Sequence, residues 1–454
     1  MEKYLWNFRV TPRVLKKDTL QTIEIEGLDS SYLFYDGVEY EVKLVSREGY
    51  TRENFQHIPP LSANNGVVLR VKSEKNILRI PYEFKAEGLW QVHIRCLENK
   101  HATKPRERYW PWTNNEREII VPVYVLAEDL YGLQPYKGDL HIHTCGSDGE
   151  LSPALMAAKY RKYGFDFVSI TDHYTMQPSL DAIEKFEDIP TSFSLFPGEE
   201  IHHPDGEYVY SFHLVNFNGK SSVNELLQKE GENIEKQITL RAEELKKEIA
   251  DGAEAKLVAW HEWLYAQIKE SDGIVIYPHP FWEVFETYNI RETTTREICK
   301  RGLCDVIELA GNDKATNRMQ AQFYYQLRED GYKYPAVASS DAHAAVAAHR
   351  FNKVWTIAFA NGSEDIPVAV KDGRVVAVEA QDEEKNIYGD LRLVKFAWFL
   401  AREYFPRHDE LCNSAGQAIE RYVLGDKGQE QLITLTEKEI SKYTQEFFGD
   451  LKNK

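Results

Sequence analysis

Cysteine is scarce: the 454 residues hold five (Cys96, Cys145, Cys299, Cys304 and Cys412), odd in number, scattered and without a CxxC pair. This suggests neither a disulfide framework nor a thiolate zinc knuckle, and leaves reduced, mostly structural thiols as the expectation. No stretch approaches the roughly 18 consecutive apolar residues that span a bilayer, and the opening "MEKYLWNFRVTPRV" lacks the apolar core of a signal peptide. A cytoplasmic protein without membrane association is expected. Positive charge is short as well, with 55 Lys and Arg against 72 Asp and Glu and a net charge of −17. That balance argues against a general nucleic-acid-binding surface and makes metal cations welcome partners. No internal repeat or low-complexity segment is visible, which argues against a repeat array.

At a soft prior of roughly 150 residues per domain, the length allows two or three domains. From Met1 to about Val125, short runs such as "TIEIEGL", "EYEVKLV", "VVLRVKS", "WQVHIRCL" and "EIIVPVYVL" alternate apolar and polar residues between turn-forming stretches, the signature of an antiparallel sandwich. Residues 1–130 are therefore read as an immunoglobulin-like β-sandwich. Trp6, Phe8, Tyr32, Phe34 and Trp90 are expected in its core, and Trp110 and Trp112 on a loop near the domain junction. From Asp139 onward, apolar strands alternate with helices, which implies a mainly parallel sheet or barrel over residues 136–380. Its first helix has Ser152 placed to cap, Pro153 in the first turn and Gly164 to close it. Long charged helices fill roughly 223–270, and residues 384–454 read as a helical extension.

The strands end in metal-ligand chemistry. "GDLHIHT" carries His141 and His143, "FVSITDH" Asp172 and His173, "FSLFPGEEI" Glu199 and Glu200, "GIVIYPHP" His279, and "YPAVASSDAH" Asp341 and His343. His213, in "YSFHLVNF", is expected to join from within a strand. In a βα barrel the carboxyl ends of the strands share one face, so groups about 200 positions apart converge. Imidazole and carboxylate without thiolate suit zinc, manganese or iron, and their number suggests a cluster. Two or three such ions can bridge a hydroxide and clamp both oxygens of a hydrolytic displacement, so the spacing implies a hydrolase.

"DLHIHT" with the downstream "SDG", then "TDH", "PGEEI", "YPHP" and "SSDAH", resembles in order the motifs of the PHP (polymerase and histidinol phosphatase) superfamily, over about Tyr136 to Arg350. The resemblance implies a distorted (β/α)7, TIM-like barrel with a di- or trinuclear centre that cleaves phosphate esters. The leading β-domain, running through "DLYGLQPYKGDLHIHT", is similar to the branch grouped with carbaryl hydrolases, which hydrolyse a carbamate. By resemblance, His141, His143, Glu200 and Asp341 hold one metal. His213 and His279 share the bridging Glu200 for a second, and Asp148, His173 and His343 hold a third. Asp148 stands where some members have histidine. Glu200, Asp341 and His343 are the implied catalytic groups, with no dedicated acid. The implied partner is a small phosphate ester, and a homo-oligomer is compatible with the sequence. Hydrolysis of a non-phosphate ester, carbamate or amide is the alternative. A non-catalytic metal-binding scaffold is a second alternative, disfavoured because none of the nine positions is missing.

Other residues carry plainer expectations. Strand alternation lets only one of Glu199 and Glu200 face the site, leaving Glu199 solvated or supporting. His202 and His203 precede the turn-like "PDGE" and read as a surface loop. Asp139 and Asp172 should hydrogen-bond rather than coordinate. Glu308 either orients a ligand or is a satisfied buried acid. Arg350 and Lys314 are candidates for a substrate anion, with an ordinary surface role favoured, and His261 reads as a packing or surface residue on a helix.

Overall fold

A computed structural model describes residues 7–28, 33–49, 66–96, 119–203, 212–284, 286–311, 314–346, 350–381 and 384–449. Trp6, Tyr32, Trp110 and Trp112, assigned above to a sheet core and a junction loop, lie outside them. The fold is mixed α/β, and the chain divides into two compact units. One comprises Met1–Leu133, Arg402–Tyr404 and Ser441–Lys454; the other comprises Gln134–Ala401 and Phe405–Ile440.

The first unit is built on β1 (Phe8–Thr11), β2 (Val14–Lys16), β3 (Leu20–Gly27), β4 (Glu39–Ser46), β5 (Val67–Lys72), β6 (Ile77–Glu83), β7 (Gly88–Cys96) and β8 (Ile119–Leu126). They form two sheets, in the orders β1-β3-β6 and β2-β8-β7-β4-β5, antiparallel except for the β2–β8 pair. Period two explains the division of side chains: in β3, Ile23 and Ile25 are buried while Thr22 and Glu24 are exposed. Ile23, Ile25, Leu78 and Ile80 of the smaller sheet share an apolar cluster with Val42, Leu44, Val92, Ile94, Val121 and Val123 of the larger. Each such burial contributes about 1.5–3 kcal/mol before entropy is counted. Phe8, Phe34 and Trp90 lie in the same cluster. Arg13, between β1 and β2, is tied to the C-terminal part of this unit. Its Nη2 lies 2.9 Å from Glu403 Oε2, and its backbone N–H donates to the Phe447 carbonyl at 2.8 Å.

The second unit holds β9 (Gln134–Ile142), α1 (Pro153–Lys162), β10 (Phe167–Ile170), α2 (Gln177–Glu187), β11 (Ser194–Phe196), β12 (Gly198–Ile201), β13 (Leu214–Phe217), α3 (Val223–Leu245), α4 (Ala255–Glu270) and β14 (Ile274–Tyr277). A hairpin of β15 (Glu283–Val284) and β16 (Thr287–Tyr288) is followed by α5 (Glu292–Lys300), β17 (Val306–Ala310), α6 (Lys314–Glu329), β18 (Ala336–Ala338), β19 (Val354–Ala360), α7 (Ile366–Lys371), β20 (Val375–Glu379) and β21 (Asn386–Gly389). Three C-terminal helices follow, α8 (Leu391–Glu403), α9 (Phe405–Val423) and α10 (Glu430–Phe448). The sheets run β11-β10-β9-β19-β20-β21 and β12-β13-β14-β17-β18. Two isolated parallel bridges, His173↔Glu200 and Ile142↔Ala342, join one sheet to the other.

In the second sheet, β14 (IVIY) and β18 (AVA) read as continuous apolar runs because both faces are covered. Ile274 and Ile276 of β14 enter a cluster with Leu140, Phe167, Val215, Phe217, Val306 and Val337, all from strands. Val275 and Tyr277, one residue out of phase, pack with Leu257, Val258 and Leu264 of α4. The helices form for local reasons. In α3, buried Leu227, Ile234, Ile238, Ala242 and Leu245 line one stripe, and Ser222 Oγ accepts from Glu225 N–H at 3.1 Å to cap it. Two local expectations change. Ser152 stands at the N-cap of α1 but makes no side-chain bond; proline at N1 has no N–H to satisfy, which lessens the need for a cap. The sheets are also less parallel than the βα alternation suggests, since β12–β13, β13–β14, β9–β19, β19–β20 and β20–β21 are all antiparallel. All five cysteines are free thiols. Among the described residues no helix is long and apolar enough to cross a membrane.

Candidate metal centre

The nine residues named from the sequence meet at one edge of the second unit. His141 lies in β9, and His143 follows it by one residue; Asp148 sits in the turn after, at the mouth of the site. His173 lies beyond β10, Glu200 within β12, His279 beyond β14, and Asp341 and His343 beyond β18. His213 immediately precedes β13 rather than lying within it. Because β13 runs antiparallel to β12 and β14, its start and not its end reaches this edge. Non-glycine residues with left-handed backbones here include His279 (φ 29°), Asp341 (φ 51°), Tyr174 beside His173 (φ 64°) and Arg350 (φ 59°). Such conformations cost on the order of 1–3 kcal/mol and persist where packing over-determines them.

Glu200 is the hub. Its Oε1 lies 2.8 Å from His213 Nδ1 and 3.5 Å from His279 Nε2. Its Oε2 lies 3.0 Å from His173 Nδ1, 3.2 Å from His141 Nε2 and 3.4 Å from His143 Nε2. Asp341 Oδ1 lies 3.0 Å from His143 Nε2 and 3.6 Å from His141 Nε2. Asp148 Oδ2 is 3.2 Å from His343 Nε2, and its Oδ1 is 3.6 Å from His173 Nε2. Glu200, His141 and His143 are buried, whereas the side chains of Asp148 and His343 are 54% and 25% exposed. The site therefore opens on the Asp148–His343 side.

The donor set fits divalent cations. Ligands about 2.1 Å from one ion stand about 3.0–3.4 Å apart in octahedral or tetrahedral geometry, close to the separations above. His143 Nδ1, His173 Nδ1, His213 Nε2 and Glu200 Oε2 are buried and make no hydrogen bond among the described residues. The Nε2 atoms of His141 and His143 face each other at 3.2 Å, an approach that needs a shared proton or cation. Three-residue groups with donors within 4.8 Å include His141–Glu200–His279 and His141–His143–Asp341, and a four-residue group joins His143, Asp148, His173 and His343.

Electrostatics point the same way. Burial alone would raise the Glu200 carboxyl, but His141, His213 and His173 outweigh it and hold the group well below the carboxylate range. Burial would lower His141 and His173, yet Glu200 and Asp341 push His141 well up, and Glu200 with Asp148 raises His173 to about 10. Burial and the neighbouring His202 drive His213 down to about 3 despite Glu200. Burial likewise lowers His143, which faces His141 too closely for both rings to carry protons. Asp341 and Asp148 sit below the usual range against the effect of burial, Asp341 beside His141 and His143, Asp148 beside His173 and His343.

The supporting residues divide between expectation and correction. Asp139 accepts from Tyr160 OH at 3.0 Å and from Ser340 N–H at 3.0 Å, and burial raises it to about 6. Asp172 accepts from Thr144 N–H and Oγ1 and from Ser147 Oγ. Both therefore hydrogen-bond, as expected. Glu308 is buried and orients: its Oε2 lies 3.4 Å from His141 Nδ1, and its Oε1 accepts from His279 N–H at 3.3 Å. Arg350 Nη2 lies 3.1 Å from Asp341 Oδ2, at the site. Lys314 is half-buried at the start of α6. His261 is buried within α4, its Nδ1–H donating to the Leu257 carbonyl at 2.8 Å. Glu199 is not solvated: fully buried, it accepts from Ser222 Oγ, Val223 N–H, Asn224 Nδ2 and Asn216 Nδ2, and so caps α3. The surface-loop reading of His202 and His203 is also overturned, since they are 2% and 4% exposed. His203 Nε2 faces Glu235 at 3.4 Å, while His202 Nε2 lies 3.5 Å from Glu200 Oε2. Both residues follow directly on β12, whose last residue is Ile201.

Neither a protein-family model nor a curated protein matches the sequence. Solved structures that align with parts of it include a two-domain protein from Bacteroides vulgatus containing a predicted PHP-like metal-dependent phosphoesterase. It is 18% identical, over 59% of this chain and 71% of that one, with a TM-score of 0.41. A candidate metal-dependent phosphoesterase from Bifidobacterium adolescentis aligns at 21% identity over 45% of this chain and 87% of that one, TM-score 0.33. An amidohydrolase from Chromobacterium violaceum, with bound sulfate and no metal, aligns at 17% identity over 46% and 87%, TM-score 0.30. The first of them bears the PHP description that the motifs resemble; at such scores the functional reading rests on the side chains of the site.

Proposed function

We propose that this chain is a metal-dependent hydrolase of the PHP type, most concretely a phosphoesterase acting on a small ester. The observation that carries the reading is the convergence on Glu200 and Asp341 of five imidazoles from the edges of four strands, at separations suited to shared cations. In this reading two or three zinc, manganese or iron ions are held by His141, His143, Asp148, His173, Glu200, His213, His279, Asp341 and His343. When bound, such ions lower the pKa of water and neutralise charge developing on the substrate. Glu200 joins the two sides of the centre through its two oxygens, and Glu308 fixes the ring of His141. His343 and Asp341 lie toward the open edge, where the leaving group would depart, and no side chain is assigned as a dedicated acid. Arg350 places a guanidinium beside Asp341, where it offsets carboxylate charge and can meet an anionic ester. We further read the bridged strands β9, β10, β12, β13, β14, β17 and β18 as a distorted seven-stranded barrel, and the two sheets of the first unit as an immunoglobulin-like sandwich.

Elemental analysis of the purified protein, with turnover measured on phosphomonoesters, phosphodiesters, carboxyl esters and carbamates, tests the proposal. Two or three ions per chain and preferential phosphoester cleavage are expected. Preferential carbamate or carboxyl-ester turnover by the same metal-loaded protein would transfer the reading to a non-phosphate hydrolase. Absence of bound metal, with no activity after supplying Mn²⁺, Zn²⁺ or Fe²⁺, would overturn it.

A further inference from the structure

Strand β12 ends at Ile201, but its period of two continues for one more residue. Glu200 faces the centre, Ile201 packs into the apolar cluster that includes α3 and α4, and His202 faces the centre again. The same i, i+2 spacing relates His141 to His143 and Asp341 to His343. We propose that His202 is a tenth metal ligand, joining Glu200 and His173 around a divalent cation of the zinc, manganese or iron class. The inference rests on the metal-centre reading above and adds a residue that the sequence motifs omit.

His202 is 2% exposed, and its Nε2 makes no hydrogen bond among the described residues although Glu200 Oε2 is 3.5 Å away. Glu200 Oε2 and His173 Nδ1 are equally without a hydrogen bond, although only 3.0 Å separates them. A buried imidazole nitrogen left so is costly, and three such atoms facing one another are disposed for a shared cation. Donor atoms of His173, Glu200 and His202 all lie within 4.8 Å of one another. The His202 ring is fixed between the rings of His173 and His213, with centroids 4.1 and 3.9 Å away, so it reaches the centre already oriented. A neutral imidazole offers one lone pair. His173 therefore serves either the Asp148–His343 side through Nε2 or the Glu200 side through Nδ1, and His202 makes the second choice a three-donor set.

The test strips the full-length protein of metal and titrates back Co²⁺, following ions per chain by equilibrium dialysis and elemental analysis, and the ligand field by visible absorption. The variants are His202→Ala, His202→Asp and, as a buried control outside the cluster, His203→Ala. The Ala variant at position 202 is expected to lose one ion or to bind it at least tenfold more weakly. The Asp variant should recover the ion with a shifted Co²⁺ spectrum, because oxygen replaces nitrogen, and His203→Ala should match the wild type. Where His202→Ala does not fold, the Asp variant decides: a shifted spectrum supports the assignment and an unchanged one overturns it. Wild-type occupancy, affinity and spectrum in both position-202 variants would remove the inference and leave the metal-centre reading intact. A wild-type protein that binds no metal would remove both.

Discussion

Glu308 touches two of the proposed ligands with its two oxygens, one beside His141 Nδ1 and one accepting the His279 backbone N–H. Gly311 leaves room for it, since a Cβ there would fall 2.2 Å from Glu308 Oε1. Carboxylate partners of ligating histidines typically hold about 10–100-fold of metal affinity or activity. Glu308→Gln, which keeps the shape and removes the charge, should therefore weaken metal binding within that range by equilibrium dialysis. Protons and metal compete for the same nitrogens. With His173 raised to about 10 and His141 also raised, both rings carry protons near neutrality that a cation must displace. Metal affinity should fall as pH falls, and calorimetry in buffers of different ionisation enthalpy should register proton release on binding. At this scale most of the site was readable, because histidines and acids at strand ends announce themselves one motif at a time. His202 was hidden by the turn-like "PDGE" that follows it, although once the motif register points Glu200 at the site, strand alternation points position 202 there too.

Helix α3 begins on a buried carboxylate that belongs to a neighbouring strand. Glu199 accepts from the N–H of Val223 at 2.7 Å and from Ser222 Oγ at 2.6 Å, at the positively polarised end of the helix. Glu199→Ala should cost roughly 2–4 kcal/mol in urea unfolding, since several buried donors lose their acceptor at once, and Glu199→Gln should cost less. Sequence alone could not find this cap, because β12 and α3 meet only in the folded chain. Nor could it give the direction of β13, for an apolar run reads the same both ways. Helix α4 supplies a pH-dependent element. Burial lowers His261 from 6.5 to about 4, so the unfolded chain takes up this proton first as pH falls. The stability it contributes is complete above about 6.5 and is lost as pH drops toward 4. Replacing it by leucine should flatten the fall of stability across that window by up to about 1.4 kcal/mol per pH unit, measured by denaturant unfolding at a series of pH values.

Across the whole molecule, a chain of net charge −17 gathers buried carboxylates and histidines in one place, so bound cations should add directly to stability. At a free metal concentration 100 times the dissociation constant, one site contributes about 2.7 kcal/mol. Chelation should therefore lower the thermal midpoint of the second unit, and Mn²⁺ or Zn²⁺ should restore it, as followed by scanning calorimetry. An unmoved midpoint in a protein proven to bind metal would contradict that linkage. The alternation in residues 8–126 marked the first unit as β, whereas the grouping of residues 402–404 and 441–454 with it left no trace in the pattern, since helical periodicity says nothing about which sheet a helix meets. That grouping has a consequence in time. Arg13 emerges from the ribosome 390 residues before Glu403, a delay of roughly 20–80 s at ordinary rates of synthesis. Until then its buried guanidinium has no carboxylate, and the Phe447 ring that lies 5.5 Å from it has not yet been made. The unit begun first is thus the last to be finished, and a nascent chain must carry its β-strands half-complete while nearly all of the second unit is synthesised behind them.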